Sequence, residues 1–238
     1  MIKHTIKKII PITLISTYHF LLAHLAAIVY GFPSDKLKVV GVTGTNGKTT
    51  TAYLIAQMLE HAGMSSGLTS TAIFKIGKKE WLNDKKMTML GRFQSQKLLR
   101  EMVSAGCKYA VVETSSEGIK QHRHRGIKYY AAVFTNLTPE HLQAHGGFEN
   151  YKAAKQKLFK LPLKHSVINA DDKYSSDFVI GKSHKTLYST NESVSIPAGA
   201  GAIVATNISL DAKTTFLVSG VRFELNMPGL FNVYNALG

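Results

Sequence analysis

Residues 39–53, VVGVTGTNGKTTTAY, decide the fold. Val39, Val40 and Val42 make a β-branched apolar run that reads as a buried strand. A short Thr/Gly/Asn loop follows, and a helical pattern opens at Thr49. This order suits phosphate binding. Glycines let backbone N–H groups turn inward around an oxyanion, and the helix that follows directs its positive end at it. Lys48 is placed to reach terminal phosphates as a point charge, and the Thr49 hydroxyl to ligate Mg²⁺. The P-loop pattern asks for Gly where Val42 stands; Gly41 and Gly44 flank that place, and Gly47, Lys48 and Thr49 are kept. A plain glycine-rich turn with an exposed lysine would leave this order unexplained. Gly44, Thr45, Asn46, Gly47, Lys48, Thr49 and Thr50 are therefore the expected nucleotide-binding loop.

The chain has 238 residues, 45% of them hydrophobic and 18% charged, so a sizeable core is available and wholesale disorder is not expected. One cysteine, Cys107, leaves no intrachain disulfide and suits a reducing compartment. It stands just before an apolar strand and reads as a buried filler. The net charge is +14, which favours an anionic partner: a nucleotide, a nucleic acid or a membrane surface. The charge is spread over Lys78-Lys79, Lys85-Lys86, His122 to Arg125 and Lys152 to Lys164, without interleaved aromatics or zinc-finger spacing. It reads as a solvated basic surface, and no nucleic-acid partner is expected.

Residues 1–36 form a leader. Lys3, Lys7 and Lys8 precede an uncharged stretch from Ile9 to Phe32, broken by Pro11, His19 and His24. The stretch is long enough to span a bilayer, but its Thr, Ser and His content favours an amphipathic or buried helix, packed on the domain or lying at a membrane surface. From Leu37 the pattern alternates. Leu37–Val42, Gly67–Thr71, Tyr109–Val112, Tyr130–Phe134 and Ser166–Asn169 read as strands, Phe74–Trp81 as a hairpin turning at Gly77, and Thr49–Ala62, Phe93–Ala105 and Glu149–Leu161 as helices. This is the rhythm of a mostly parallel sheet with helices on both faces, an α/β fold. After about residue 190 the segments Ala202–Leu210, Thr214–Ser219 and Val221–Asn226 suggest an antiparallel edge. MPGLFNVYNALG then opens a helix in which the chain stops, as a truncated sequence would.

Ligands of open parallel sheets bind at the carboxyl ends of the strands. Four such ends are polar here: the P-loop, Glu113 to Ser116, Thr135-Asn136 and Asn169 to Asp172. Glu113 is placed either to ligate Mg²⁺ beside Thr49 or to cap the next helix. Gln121 and Arg123, in ETSSEGIKQHRHR, could bind phosphate or carboxylate, or face solvent on a basic helix end. His141 and His145 share i,i+4 spacing, but a lone His is more often structural and no third zinc ligand is near. On pattern alone Lys152, Lys155 and Lys157 all face solvent.

Together these motifs resemble the Mur ligases, the ATP-dependent amide ligases of peptidoglycan precursor synthesis, and most nearly the MurE type, which adds the third residue of the stem peptide. The matching pieces are TGTNGKTT (43–50), ETSSEGIKQHR (113–123), FTNLTPEHLQAHG (134–146), YKAAKQKLF (151–159), INADD (168–172) and GLFNVYNAL (229–237), in the family's order over about 200 residues. The resemblance implies the family's P-loop-type central fold for residues 37–238, a cytoplasmic and monomeric enzyme, and ATP with two Mg²⁺ ions. It further implies UDP-MurNAc-peptide and amino-acid substrates. Lys48, Lys155 and His141 would be catalytic. Thr49, Glu113, His141 and a carbamylated Lys155 would hold metal. Asn136, Asn232 and Asn235 would lie by the nucleotide, and Thr88, Ser115, Gln121 and Arg123 by the sugar peptide. The sequence departs from the family at Glu117, where His is usual, at Glu140 and Gln143, where aspartates flank His141, and at Thr88-Met89-Leu90 for Thr-Thr-Pro. The family's UDP-binding and C-terminal domains are not expected in these residues, and peripheral membrane contact through residues 1–32 is. Folylpolyglutamate or cyanophycin synthetase-like ligases share the ATP site, and a non-catalytic membrane-associated nucleotide-binding module is a further reading.

Overall fold

A computed structural model describes residues 11–140 and 142–238. The expected site residue His141 and the basic start Lys3, Lys7 and Lys8 lie outside the described residues. The strands are β1 (Lys38–Thr43), β2 (Ser66–Thr69), β3 (Ile73–Ile76), β4 (Lys79–Leu82), β5 (Tyr109–Glu113), β6 (Tyr129–Phe134), β7 (His165–Asn169), β8 (His184–Ser189), β9 (Gly201–Leu210), β10 (Thr214–Val218) and β11 (Val221–Leu225). The helices are α1 (Ile12–Val29), α2 (Lys48–His61), α3 (Arg92–Ser104), α4 (Ser116–Lys120), α5 (Leu142–His145), α6 (Phe148–Phe159) and α7 (Leu230–Leu237).

The strands join in one sheet, ordered β11-β10-β9-β8-β7-β6-β1-β5-β2-β3-β4. From β2 to β9 all neighbours are parallel. Antiparallel hairpins, β3–β4 and β10–β11, close the two sides. Most elements lie within a residue or two of the sequence expectation. Two differ. Strand β8 was not expected, because its start, His184-Lys185-Thr186, is polar and only Leu187 to Ser189 are buried. Strand β9 is parallel to β8, so the antiparallel edge begins one strand later than expected.

The sheet is packed on both faces, as parallel strands require. Val42, Leu68, Val111 and Val133 meet Ala52 and Ala56 of α2, an i,i+4 pair whose small side chains let the helix sit close. The other face buries Val39, Val112, Phe134 and Leu158 in a larger cluster that also holds Leu99, Met102 and Cys107. Gly41 is needed in β1 because a Cβ there would stand 2.7 Å from the Tyr129 ring. Phe134, fully buried, stacks on Phe178 at 3.8 Å and meets Phe159 edge-on at 6.5 Å. That stack anchors the end of β6, from which Thr135 and Asn136 extend to the site.

Helix α1 packs on α3 through buried Ala23, Ala26 and Ala27. Arg92 Nε donates to the His19 carbonyl at 3.1 Å, and Ser16 Oγ lies 2.7 Å from His122 Nε2. Among the described residues no helix is long and apolar enough to cross a membrane. The 18 residues of α1 rise about 27 Å, short of the roughly 30 Å hydrocarbon layer.

Truncating the aromatic stack tests this packing. Phe134→Ala lowers the unfolding free energy by about 3–5 kcal/mol in urea titrations followed by circular dichroism. A loss below about 1 kcal/mol would show that the stack does not hold this half of the sheet.

Candidate functional site

Register brings the polar strand ends together. Val42 pairs with Glu113 and Thr43 with Phe134, so β5, β1 and β6 end side by side, and the loop after β1 lies between Glu113 and Thr135-Asn136. Two glycines in that loop are dictated by close approach. A Cβ on Gly44 would sit 1.9 Å from Thr135 Oγ1, and one on Gly47 2.2 Å from Asn235 Oδ1. Both also have positive φ, 155° and 81°.

Hydrogen bonds clamp the loop to β6. Thr45 N donates to the Asn136 carbonyl and Asn46 N to Asn136 Oδ1, each at 2.8 Å. Thr135 Oγ1 and Asn136 Nδ2 return bonds to the Asn46 carbonyl at 2.7 and 3.0 Å. Helix α2 starts at once, with its N-terminal amides facing the loop's opening, an arrangement suited to an anion. Lys48 Nζ donates to the Thr45 carbonyl at 2.6 Å. Burial lowers its pKa, against the opposing pull of Glu113 and Glu140.

On one flank Thr49 Oγ1 donates to Glu113 Oε2 at 2.9 Å. Glu113, 1% exposed, also accepts from Thr71 N at 2.7 Å and Thr71 Oγ1 at 3.1 Å. Of the two readings of Glu113, the structure favours the site over a helix cap: it is Ser115 Oγ that caps α4, accepting from Gly118 N at 3.1 Å. A hydroxyl and a carboxylate side by side are hard oxygen donors, and Mg²⁺ commonly takes one or two carboxylates with phosphate and water. The donor set therefore fits Mg²⁺ with a bound triphosphate. No group of three His, Cys, Asp or Glu able to hold a metal exists among the described residues, so this pair would not hold an ion without further ligands.

Lys155 departs from the reading by pattern. It is 1% exposed, whereas Lys157 is exposed and Lys152 pairs with Glu149 and Asp177. Its position one helical turn from Tyr151 and Phe159 puts it on the inward face of α6. Nζ donates to the Gly44 carbonyl at 2.5 Å and stands 4.5 Å from the Tyr151 ring centroid. Burial, and then the charge of Lys48, hold its pKa well below the usual lysine value. Tyr151, which the sequence reading did not single out, also meets Thr45 Oγ1 through its hydroxyl at 3.1 Å. Thr71, likewise not foreseen, bridges Glu113 to Thr88, whose hydroxyl lies 2.9 Å away.

Cavities open on both sides of the loop. One, of about 420 Å³, has Lys48, Lys155, Thr88, Ser115, Glu117 and Arg123 in its wall. Gln121 is outside this wall; its Oε1 accepts from Arg123 Nη2 at 2.7 Å, and so it orients the arginine. The other, of about 380 Å³, is walled by Asn46, Asn136, Asp171, Phe231, Tyr234 and Asn235. Asn232 is not in that wall; its Oδ1 accepts from Asn235 Nδ2 at 3.2 Å. Tyr234 donates to Asp171 Oδ2 at 2.8 Å, tying α7 to the segment after β7. Thus one loop serves two compartments, with both buried-side lysines on one of them.

A family model described as the Mur ligase middle domain matches residues 42–238. A UDP-N-acetylmuramoyl-L-alanyl-D-glutamate–2,6-diaminopimelate ligase from Clostridium perfringens is 39% identical over 221 residues, covering 91% of this chain and 45% of the relative. A UDP-N-acetylmuramyl-tripeptide synthetase from Roseiflexus is 36% identical over 233 residues, with the same shares. A solved structure of a UDP-N-acetylmuramoyl-L-alanyl-D-glutamate–2,6-diaminopimelate ligase superposes with a TM-score of 0.71 at 27% identity, covering 84% of this chain and 42% of that one. The chain spans about half the length of the curated relatives it matches.

Lys155 gives a test of the site's electrostatics. Its folded pKa lies below the unfolded value near 10.4, so the unfolded chain binds the extra proton and stability rises with pH between the two values. Lys155→Met removes that term. The variant gains on the order of 1 kcal/mol near pH 7, and the gain shrinks as pH approaches 10. Equal pH slopes for variant and wild type in thermal melts would contradict the assignment of a buried, neutral-leaning amine.

Proposed function

The chain belongs to the Mur ligase family through its middle domain, and from that premise we propose that it carries the ATP site of an amide ligase acting on peptidoglycan precursors. The reaction class is acid–amino-acid ligation. A carboxylate of a UDP-MurNAc-peptide attacks the γ-phosphate of ATP, ADP leaves, and the amine of an amino acid displaces phosphate from the acyl phosphate. Such transfer depends on positioning and charge neutralisation rather than on a protein nucleophile.

The observation that carries the reading is the convergence of the Lys48 and Lys155 amines on carbonyls of one loop, in the wall of one of the two cavities that flank it. In this reading the cavity by Tyr234 and Asn235 takes the nucleoside. The loop and the start of α2 hold the phosphates, with Lys48 exchanging the Thr45 carbonyl for a phosphate oxygen. Thr49 and Glu113 would hold Mg²⁺, which when bound neutralises phosphate charge. His141 would supply a further ligand. The cavity by Ser115 and Arg123 takes the acidic sugar peptide, with Arg123 as the carboxylate or phosphate partner and Thr88 beside it. Glu117 brings a negative charge to that wall, held by Gln121 Nε2 at 2.6 Å.

Lys155 suits carbamylation on chemical grounds. An amine adds to CO₂ only while unprotonated, and burial favours that form. The carbamate so formed would turn a cation into an anion beside the loop and provide for a second Mg²⁺. Residues 37–238 act in this reading as the central domain of a monomeric, cytoplasmic enzyme, with peripheral membrane contact through residues 1–32. Selection of the amino acid is left to parts of the relatives' length that this chain does not span.

Nucleotide affinity tests the proposal. Lys48→Ala weakens MgATP binding by about 10- to 100-fold in isothermal titration, the loss of one charge-assisted hydrogen bond. Lys97→Ala, at an exposed position on α3, leaves it unchanged. Equal affinity of wild type and Lys48→Ala would overturn the site.

A further inference from the structure

Glu117 lines the same cavity as Arg123, where an acidic ligand by itself gives a carboxylate nothing to do. The local structure shows how it is placed. Ser115 caps α4, so Glu117 stands in the first turn, with Gln121 one turn later on the same side. Gln121 Nε2 donates to Glu117 Oε1 at 2.6 Å, and Gln121 Oε1 accepts from Arg123 Nε and Nη2 at 3.1 and 2.7 Å. Arg92 fixes the main chain of the same glutamine: its Nη2 donates to the Gln121 carbonyl and its Nε to that of His19. Arg123 Nη1 donates to the carbonyl of buried Met89. Gly118 permits that approach, since a Cβ there would stand 2.3 Å from the Met89 sulfur. One carboxamide thus holds a guanidinium and a carboxylate at a fixed separation.

What remains of the two groups is complementary. Of the five N–H groups on Arg123, three are taken, which leaves one on each Nη. Among the described residues the Glu117 carboxylate accepts from Gln121 alone, through Oε1, so Oε2 remains as an acceptor. Glu117 and Arg123 line the cavity of about 420 Å³ and Gln121 does not, so the glutamine lies behind the pair and leaves these groups to a ligand. Burial lowers the Arg123 pKa and the charge of Glu117 raises it, so the carboxylate is close enough to be felt. Lys48 and Lys155, in the same wall, are anchored elsewhere, on the loop after β1. A ligand filling this cavity meets cations at two places, and beside one of them an acceptor.

We propose that Glu117 determines specificity in this cavity: its Oε2 accepts the amide N–H of the ligand's end residue, while Arg123 takes the carboxylate next to that N–H. The end residue is then an N-acylated amino dicarboxylic acid. Its second carboxylate reaches the loop lysines, where phosphorylation occurs in the proposed function, on which this inference rests. The amide N–H and the neighbouring carboxylate are borne by one carbon, a spacing suited to two groups that a single carboxamide bridges. Recognition of this kind also rejects. A ligand with oxygen in place of the N–H sets a lone pair against the Glu117 carboxylate and leaves that carboxylate without its donor. A bare carboxylate meets the repulsion of Glu117 with no hydrogen bond to offset it. The sequence departs from the resembling ligases at Glu117, so this acceptor is a feature of this chain.

Isothermal titration of the full chain tests it with two ligands. One is a UDP-MurNAc-peptide ending in an amino dicarboxylic acid; the other is its analogue with an ester oxygen in place of the amide N–H of that end residue. Wild type binds the amide about tenfold or more tightly than the ester, as a hydrogen bond to a charged acceptor requires. In Glu117→Leu, at an exposed position, the ratio falls to about one. Glu117→Gln, whose one carbonyl oxygen must serve both Gln121 Nε2 and the ligand, keeps an intermediate ratio. Equal affinities in wild type, or an undiminished preference in Glu117→Leu, overturn the proposal and leave the cavity's assignment to the sugar peptide standing. Failure of wild type to bind either ligand overturns that assignment along with it, and MgATP titration of the same preparation shows whether the nucleotide site stands.

Discussion

The clamp between the loop after β1 and the end of β6 is the constraint on which the site depends. Thr45 and Asn46 present backbone amides to Asn136, and Thr135 and Asn136 return side-chain bonds to the Asn46 carbonyl. The loop thus keeps one shape before any ligand arrives. Preorganised amides and a helix start aimed at an anion do not need to be reordered on binding, which is where such sites gain their strength. Removal of the clamp would leave Gly44 and Gly47, the most adaptable residues of the loop, free to take many backbone states.

Everything else at the site is hung from this clamp. Gly44, at closest approach to Thr135, offers its carbonyl to Lys155, while Thr45 offers its own to Lys48. Two amines converge on successive carbonyls of one loop, in a wall that also contains Tyr151. Burial, and after it the charge of Lys48, lower the pKa of Lys155, the more enclosed of the two. That is an electrostatic tension a bound triphosphate would relieve at Lys48 and a carbamate would relieve at Lys155. On the far side, α7 closes the second cavity, held by Tyr234 to Asp171 and Thr190.

Much of this was legible in the sequence because the informative residues are local. The strand–loop–helix order from Val39 to Tyr53 is a contiguous signal, and the polar ends at Glu113 and Thr135-Asn136 stand out after apolar strands. What could not be read is of two kinds. Lys155 is charged, and charge implies solvent until packing shows otherwise; only Tyr151 and Phe159 one turn away placed it inward. Strand β8 lacks both alternation and a long apolar run, since its first half stays partly exposed at the amino edge, so period offered no sign of it. Thr71 and Tyr151 reach the site through folding alone, from a short loop after β2 and from α6. The basic residues looked dispersed because they are far apart in sequence. The parallel sheet gathers Lys36, Lys38, Lys108 and Lys128 at one rim by aligning strand starts.

The measurement that bears most directly on the central claim is a crystal structure of the chain with Mg²⁺ and a non-hydrolysable ATP analogue. The account predicts the base in the cavity beside Tyr234 and Asn235, the phosphates along residues 44–50 with Lys48 on a terminal oxygen, and the ion between Thr49 and Glu113. A nucleotide seated elsewhere, or phosphates out of reach of Lys48 with the loop still clamped to Asn136, would contradict it.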